Sequence, residues 1–480
     1  MINTTAVRNR IVDLAIRGTL TNEFHVCANA KSELEEQTGR SFSIINKVPY
    51  SVKDNWLWVR LGDIVADTDY PFADGPFGSN LKKEHYTDEK QVRIIQLSNI
   101  GELGWKNENE RYTTFEHLKT IQRSEVQTGD IVIAKMMPAG RAVIVPDVSE
   151  KYVLSSDCVK FVPHHAICRE YLYYAINSPM FRAQVVGGVH GIGRERTSLS
   201  KLKTYMVPIP PKSEQKIIVD KLNTAFKCLS SIDDAQTQYS HNYSVLKDKI
   251  VEAGISGNLT EQRTEDGNAE DLYIQIQAEK ASLIKEGKIK KGKPIPEIAR
   301  EEIPFDIPES WKWVRFADLY SLSNGVASRG TEGGKPHPVL RLADLIGGKI
   351  ETQNIREISL TDAEYESHKV QKGDLVFIRV NGSRSKVANA FLYLEDGEIS
   401  YCDHLFCGHK TSTCVDPAYI MMVVKSEMVK RQIEPYIKTT AGQNTISQGN
   451  MGKIIIPLPP QAEQKRIVKK VNALLAAMPE

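Results

Sequence analysis

The sequence predicts an α+β protein. Two homologous α/β domains are separated by long helical regions that pack as an antiparallel coiled coil, in a pseudo-two-fold circular arrangement. Three observations carry this reading. Blocks of sequence recur in the same order about 250 residues apart. A heptad seam runs on from the first copy of the block that closes each repeat. The stretch that ends this seam recurs at the N-terminus, where it can complete a second helical arm begun at the C-terminus.

The repeats come first. VPYSVKDNWLWVRLGDI (48–64) returns as IPFDIPESWKWVRFADL (303–319). IIQLSNI (94–100) returns as VLRLADL (339–345), and VQTGDIVIAK (126–135) as VQKGDLVFIR (370–379). PIPPKSEQKIIVDK (208–221) returns as PLPPQAEQKRIVKK (457–470) and closes each unit. A period this long marks a duplicated module rather than a short-repeat solenoid. The two domains are expected at 45–207 and 300–456.

Within each domain, IVIAK and LVFIR are short β-branched runs behind a Gly-Asp turn signal and read as strands. Trp56 and Trp58, like Trp311 and Trp313, alternate at strand period, so at least one of each pair is expected in a core. Residues 169–185 and 417–433 read as matching helices. At the repeated junction, Pro211 and Pro460 preset the backbone for a helix start. The following Glu214-Gln215 and Glu463-Gln464 place a carboxylate where the helix dipole favours it. A contact with a partner is the other reading of these pairs.

The helical spacer is expected over 208–260. Its seam is Ile218, Leu222, Ala225, Leu229, Ile232, Gln236, Tyr239, Tyr243, Leu246 and Ile250, interrupted once by a polar residue. Forty such residues reach about 60 Å, and a single apolar stripe of that length needs a partner helix. The seam restarts at Ile467, Val471 and Leu474 in a C-terminal helix (457–480). RIVDLAIRGTLT (10–21) resembles KIVEAGISGNLT (249–260), so an N-terminal helical segment (1–24) is expected to finish that second arm. Residues 261–299 read as a basic linker containing KEGKIKKGK (285–293).

Bulk properties limit the function classes. The chain has 480 residues, is 41% hydrophobic and 25% charged, and carries a net charge of +2, with seven scattered cysteines. This is ordinary globular composition. No apolar run reaches the roughly 18 residues of a membrane span, and no secretory signal is read at the N-terminus. A cytoplasmic, reduced environment is the expectation.

Catalytic signatures are missing. Adenine-N6 methylation calls for an Asn/Asp-Pro-Pro-aromatic loop, which PIPP and PLPP do not supply. No Walker A pattern occurs, and GGVHGIG (187–193) does not follow a clear strand. Cys402, His404, Cys407, His409 and Cys414 are potential metal ligands, but they form no Cys-x-x-Cys pair and match an ordinary strand region of the first domain, so no metal site is expected. A nuclease built on Asp147 and Glu150 would need a lysine where Tyr152 stands.

The ordered set of junctions, the paired W-x-W-V-R motifs, and GISGNLT followed by AEKASLIKEGKIKKGKPIP resemble the DNA specificity subunit of type I restriction-modification systems. DGPFGSNLKKEHY (74–86) resembles the start of a target recognition domain. The resemblance covers nearly the whole chain. It implies a non-catalytic subunit with two target recognition domains, each reading one half of a bipartite, asymmetric site in double-stranded DNA. The helical conserved regions would set the spacer and dock two adenine methyltransferase subunits. Endonuclease-translocase subunits would join the full complex. S-adenosylmethionine, ATP and Mg²⁺ would belong to those partners, with no cofactor in this chain. The sequence departs from the pattern between GTLT and VPY, which is short and lacks the basic run. The other readings are a stand-alone coiled-coil DNA-binding or scaffold protein and, third, a self-sufficient methyltransferase or nuclease.

Base reading uses Arg on guanine and Asn or Gln on adenine, while Lys and Arg on phosphates set register. Candidate contacts in the first domain are Ser79, Asn80, Lys82 and Lys83, then Lys135 and Arg141, then Arg194 and Arg196. In the second domain they are Arg329 and Lys335, then Arg379, Asn381, Arg384 and Lys386, then Gln443 and Asn444.

Overall fold

The computed structural model describes residues 1–24, 26–136, 138–187, 196–292, 294–327 and 329–479. The chain divides into two compact units, Met1–Gln238 and Tyr239–Glu480. The division falls inside one long helix.

Unit 1 opens with helices α1 (Thr4–Ile16) and α2 (Ala30–Thr38). Its strands are β1 (Leu57–Arg60), β2 (Phe72–Asp74), β3 (Tyr86–Thr87), β4 (Val92–Ile95), β5 (Tyr112–Thr113), β6 (Glu125–Val126), β7 (Ile131–Ala134), β8 (Ala142–Ile144), β9 (Lys151–Leu154), β10 (Cys158–Phe161) and β11 (Met206–Ile209). One sheet has the order β8-β7-β10-β2 and a second the order β3-β5-β4-β9-β6. The IVIA run forms β7, paired on both edges and buried along its length, which suits four successive apolar residues. The turn before it is closed by Asp130, whose side chain accepts from the Gln127 backbone N–H at 2.9 Å.

The tryptophan strand β1 pairs antiparallel with β11, Trp58 facing Pro208. The W-x-W-V-R and P-I-P-P repeats are therefore two strands of one ribbon. Trp56 and Trp58 are both buried. Residues 169–185, expected as one helix, form two: α3 (Arg169–Asn177) and α4 (Pro179–Gly187). The break is at Ser178, whose hydroxyl accepts from the Phe181 N–H while Pro179 stands at the start of the new helix.

Helix α5 (Lys212–Ile255) follows the junction without a break over 44 residues. In unit 1, α1 lies antiparallel along its first half. Arg8 reaches Ser230 and Asp233, and Lys221 donates to the Leu20 carbonyl. Ile218, Leu222 and Leu229 are buried there, and Ile232 is half-buried.

Unit 2 repeats the plan. Helix α6 (Ala269–Lys285) precedes strands β12 (Lys312–Arg315), β13 (Tyr320–Asn324), β14 (Lys335–Leu340), β15 (Glu357–Leu360), β16 (Leu375–Ile378), β17 (Val380–Asn381), β18 (Ala390–Leu392), β19 (Ser400–Tyr401), β20 (Leu405–Lys410), β21 (Lys438–Thr440), β22 (Gln443–Thr445) and β23 (Ile455–Leu458). The sheets are β13-β20-β16-β18, β15-β14-β19 and β17-β22-β21, and β12 pairs with β23. Asp374 closes the turn before β16 as Asp130 does in unit 1, accepting from the Gln371 N–H at 2.9 Å. Trp311 is buried and Trp313 half-buried. Residues 417–433 split into α7 (Pro417–Lys425) and α8 (Glu427–Ile433), with Ser426 capping the second. Helix α9 (Gln461–Ala476) lies antiparallel along the second half of α5, placing Ile467 and Val471 against Gly254.

Two expectations are corrected. Leu246 and Leu474, expected in the helix seam, are 50% and 38% exposed, and Ile250 is only half-buried. In unit 1 the start of α1 reaches Asp233 and the Ile2 backbone just before it reaches Gln236, and in unit 2 the Pro479 carbonyl accepts from Tyr239. The middle of α5 is met by helix ends rather than a full partner helix. Residues 261–299, expected as a linker, contain α6, whose Ala269, Leu272 and Ile276 are buried in the core of unit 2. Its counterpart in unit 1 is α2, entered by the same bond: Ala30 N–H to Asn55 O, as Ala269 N–H to Ser310 O.

The Glu-Gln pairs have a more specific role than the helix dipole. Glu214 is fully buried and accepts from the Trp56 indole N–H (2.9 Å), the Lys53 ammonium (2.7 Å) and the Thr21 hydroxyl (2.6 Å). Glu463 accepts from the Trp311 indole (2.8 Å), Thr260 (2.8 Å) and Gln262 (2.6 Å). Gln215 and Gln464 each bridge two backbone groups: one accepts from Cys168 N–H and donates to Pro210 O, the other accepts from Asp416 N–H and donates to Pro459 O. Gly18 and Gly257 sit in the left-handed region at φ +80°, Gly18 against Trp56 and Lys53 and Gly257 against Pro308 and Trp311. The G-x-L-T, W-x-W and P-x-P-P-x-x-E-Q motifs thus meet at one hub per unit. Burial this deep leaves the Glu-Gln side chains no surface for a partner.

Candidate nucleic-acid interface

In unit 1 the three predicted loops converge at the C-terminal end of β7. Lys135 is the first residue past that strand. Its ammonium is 2.6 Å from Asp74, at the end of β2, and 4.6 Å from the centre of the Phe77 ring. Met136 forms an antiparallel bridge with Arg196, and the Thr197 N–H donates to the Lys135 carbonyl. Arg196 pairs with Asp157, whose own carbonyl accepts from the Lys135 N–H. The path of the 74–80 loop is set by Gly75: a Cβ there would lie 1.8 Å from the Ser155 carbonyl oxygen.

Ser79, Asn80, Lys82 and Lys83 lie exposed on this loop. Its far side is fastened by two histidines. His117 Nε2–H donates to the Asn80 carbonyl at 2.8 Å, and the His85 ring stacks on His117 at 4.1 Å. Lys135 is a correction. Expected among the DNA contacts, it is buried and neutralised by Asp74, because its alkyl chain continues the buried strand. Arg141 sits at the start of β8 with its side chain 20% exposed, 4.0 Å from Glu102, and so is largely withdrawn from solvent. Arg194 lies outside the described residues.

Unit 2 builds the same place with different side chains. Arg379 occupies the position of Lys135, and its carbonyl accepts from the Ile446 N–H as that of Lys135 does from Thr197. Gly325 is the equivalent of Gly75, its Cβ position 2.1 Å from the Cys402 carbonyl oxygen. The β17-β22-β21 ribbon brings Arg379, Asn381, Gln443 and Asn444 together. Gln443 is exposed and Asn381 half-buried, its Oδ1 accepting from the Ser383 N–H. Asn444 is a second correction. It is buried, donating to the carbonyls of Asn381 and Gly382 and accepting from Thr439, so it shapes the ribbon. Arg384 is turned onto Glu434 (2.6 Å) and the Ile437 carbonyl. Lys335 pairs with Asp362 at 2.9 Å. Arg329 and Lys386 are exposed and form no ion pair among the described residues.

Two residue groups have metal-ligand chemistry: Asp374, Cys407 and His409, and Cys402, Asp403 and His404. Of the five potential ligands noted in 401–414, Cys407 and His409 join in the first group, Cys402 and His404 in the second, and Cys414 in neither. His409 Nδ1 is 2.8 Å from Asp374 and its Nε2 is 2.8 Å from the Ser323 hydroxyl. Burial pushes the Cys407 thiol well up, and Asp374 beside it acts in the same direction. That keeps a proton on the sulfur and favours a hydrogen-bonded network inside the sheet. The turn-closing role of Asp374, shared with Asp130, accounts for the carboxylate without an ion.

Residues 55–238 match the family described as the type I restriction modification DNA specificity domain. Over most of its length the chain is similar to type I restriction-modification specificity subunits. It is 24% identical over 412 residues to the EcoKI specificity subunit of Escherichia coli K12, covering 83% of this chain and 79% of that protein. It is 24% identical over 495 residues to the Escherichia coli EcoAI specificity subunit, covering 89% and 78%. The EcoEI specificity subunit of Escherichia coli is 21% identical over 550 residues, 97% of this chain and 88% of its own length. A chain solved in a study of complex assembly and conformational transition of the type I R-M system shares the fold, with a TM-score of 0.53 at 16% identity, over 89% of this chain and 93% of the other. The fold is accordingly mixed helix and sheet, with two domains and helical regions. No helix among the described residues is long and apolar enough to cross a membrane.

Proposed function

We propose that this chain is a specificity subunit that confers DNA sequence specificity on a type I restriction-modification complex, each domain reading one half of a bipartite, asymmetric site. The observation that carries the proposal is the repetition with variation at the end of the central strand. Both units hold the loops by the same backbone bonds but present different groups, Phe77 and Arg196 in one and Arg379, Asn381 and Gln443 in the other. A shared frame with different readers suits two unlike half-sites. The subunit itself is non-catalytic. Its helical regions set the spacer and dock two adenine methyltransferase subunits, and endonuclease-translocase subunits complete the assembly in the cytoplasm. S-adenosylmethionine, ATP and Mg²⁺ serve those partners.

Single-molecule methylome sequencing of the host with and without this gene tests the proposal. Loss of a bipartite methyladenine motif on deletion is expected. An unchanged set of methylated adenines in a host whose methyltransferase is active overturns it. Co-purification with methyltransferase chains separates the proposal from a stand-alone DNA-binding scaffold.

A further inference from the structure

We infer that Phe77 is a base-contacting wedge, an apolar ring held in place to pack against the bases of the half-site read by the first recognition domain. The inference rests on the DNA-reading assignment above. Phe77 is 56% exposed at the tip of the 74–80 loop. An exposed phenylalanine on a mobile tip would carry little meaning, but this ring is mounted. Its underside covers the ammonium of Lys135, 4.6 Å from the ring centre. That ammonium is itself fixed by Asp74 and is nearly inaccessible to solvent. Pro76 before the ring is buried, and Gly78 after it turns the chain at φ +54°. Gly75 admits no side chain. The His85–His117 stack fastens the loop beyond.

The electrostatics fit a duplex. Lys82 and Lys83 follow on the same loop, exposed, and Arg196 lies beside Met136 on the adjoining segment. A ring standing on a cation has its quadrupole drawn toward the buried face, which leaves the outer face better matched to an electron-rich base. Basic side chains around an apolar wedge is the arrangement by which proteins press on base steps while gripping phosphates. Unit 2 has no such ring: after Gly325 and Val326, the place of Phe77 is taken by Ala327. The wedge therefore belongs to one half-site only.

The test uses the full chain co-expressed with an adenine methyltransferase partner, comparing wild type, Phe77→Ala and Phe77→Trp. The half-site belonging to the first domain is identified by exchanging residues 45–207 for those of a relative. Phe77→Ala is expected to weaken binding to the cognate duplex by roughly 5- to 150-fold, the range for loss of one base–aromatic stack. It should also broaden the methylated motif at one or two positions of the first half-site and leave the second unchanged. Phe77→Trp should restore binding. Unchanged affinity and motif in Phe77→Ala would overturn the wedge, and so would equal loss at both half-sites or a lowered melting temperature of unit 1. If the wild-type complex itself gives no bipartite motif, the DNA-reading assignment falls with it.

Discussion

Replacing Glu214 with alanine should uncouple the first recognition domain from its helical arm. The carboxylate is fully buried and has three donors. Without it, the Thr21 hydroxyl still reaches the Gly18 carbonyl, and the Lys53 ammonium, 23% exposed, keeps the Thr21 carbonyl. The Trp56 indole N–H keeps nothing, which costs about 1–3 kcal/mol. The lost charge-assisted bond from Lys53 costs about 1.5–3 kcal/mol. The sum agrees with the roughly 3–5 kcal/mol typical of removing one partner from a buried ion pair. For a unit of this size each kcal/mol lowers the midpoint by about 2–4 °C, so the unit 1 transition should fall by about 6–20 °C. Differential scanning calorimetry of the full chain reads the shift. Hydrogen exchange locates it, with faster exchange in α1 and the start of α5 and no change in unit 2. A unit 1 midpoint within about 1 °C of wild type would refute the hub as the fastening point.

Other outcomes follow from the same geometry. Glu463→Gln should cost less than Glu214→Gln, because Gln262 can turn its amide to suit a new amide whereas Lys53 has no acceptor to offer; paired calorimetry checks the order. Gly75→Ala should destabilise unit 1 by at least ~1–3 kcal/mol, since the added carbon meets a backbone oxygen that cannot rotate away, and urea unfolding measures it. Asn444→Ala should speed hydrogen exchange in β17 and β22 and weaken reading of the second half-site alone. The Arg466 guanidinium holds the Asp266 carboxyl below its usual range, so the bond stabilises the folded state above about pH 4 and is lost as pH falls through the lower folded value. The acid-induced loosening of α9 should be smaller in Asp266→Asn, as followed by hydrogen exchange between pH 5 and 3.

Much of the fold was legible because the duplication makes the sequence its own reference. The W-x-W-V-R and P-x-P-P repeats marked two edges of each domain, and they prove to be neighbouring strands. The Gly-Asp turns announced β7 and β16. Periodicity found the buried face of α5 at Ile218 and Leu222, but it could not tell that Leu246 lacks a covering helix, since exposure depends on what packs opposite. The hub was hidden for a related reason. Thr21, Trp56 and Glu214 are far apart in sequence, and only the co-occurrence of all three motifs in both repeats links them. Among the candidate contacts, charge alone selected Lys135 as readily as Lys83, yet Asp74 neutralises the first and leaves the second in solvent. Phe77 carries no polar group to mark it in the sequence, and its mounting depends on a lysine 58 residues away.

The central claim is that two recognition domains read two independent half-sites. Exchanging residues 45–207 for those of a relative with a different motif, then sequencing the methylome of cells expressing the chimera with an adenine methyltransferase partner, tests it most directly. One half of the bipartite motif should change, with the other half retained. A motif altered in both halves, or in neither, would contradict it.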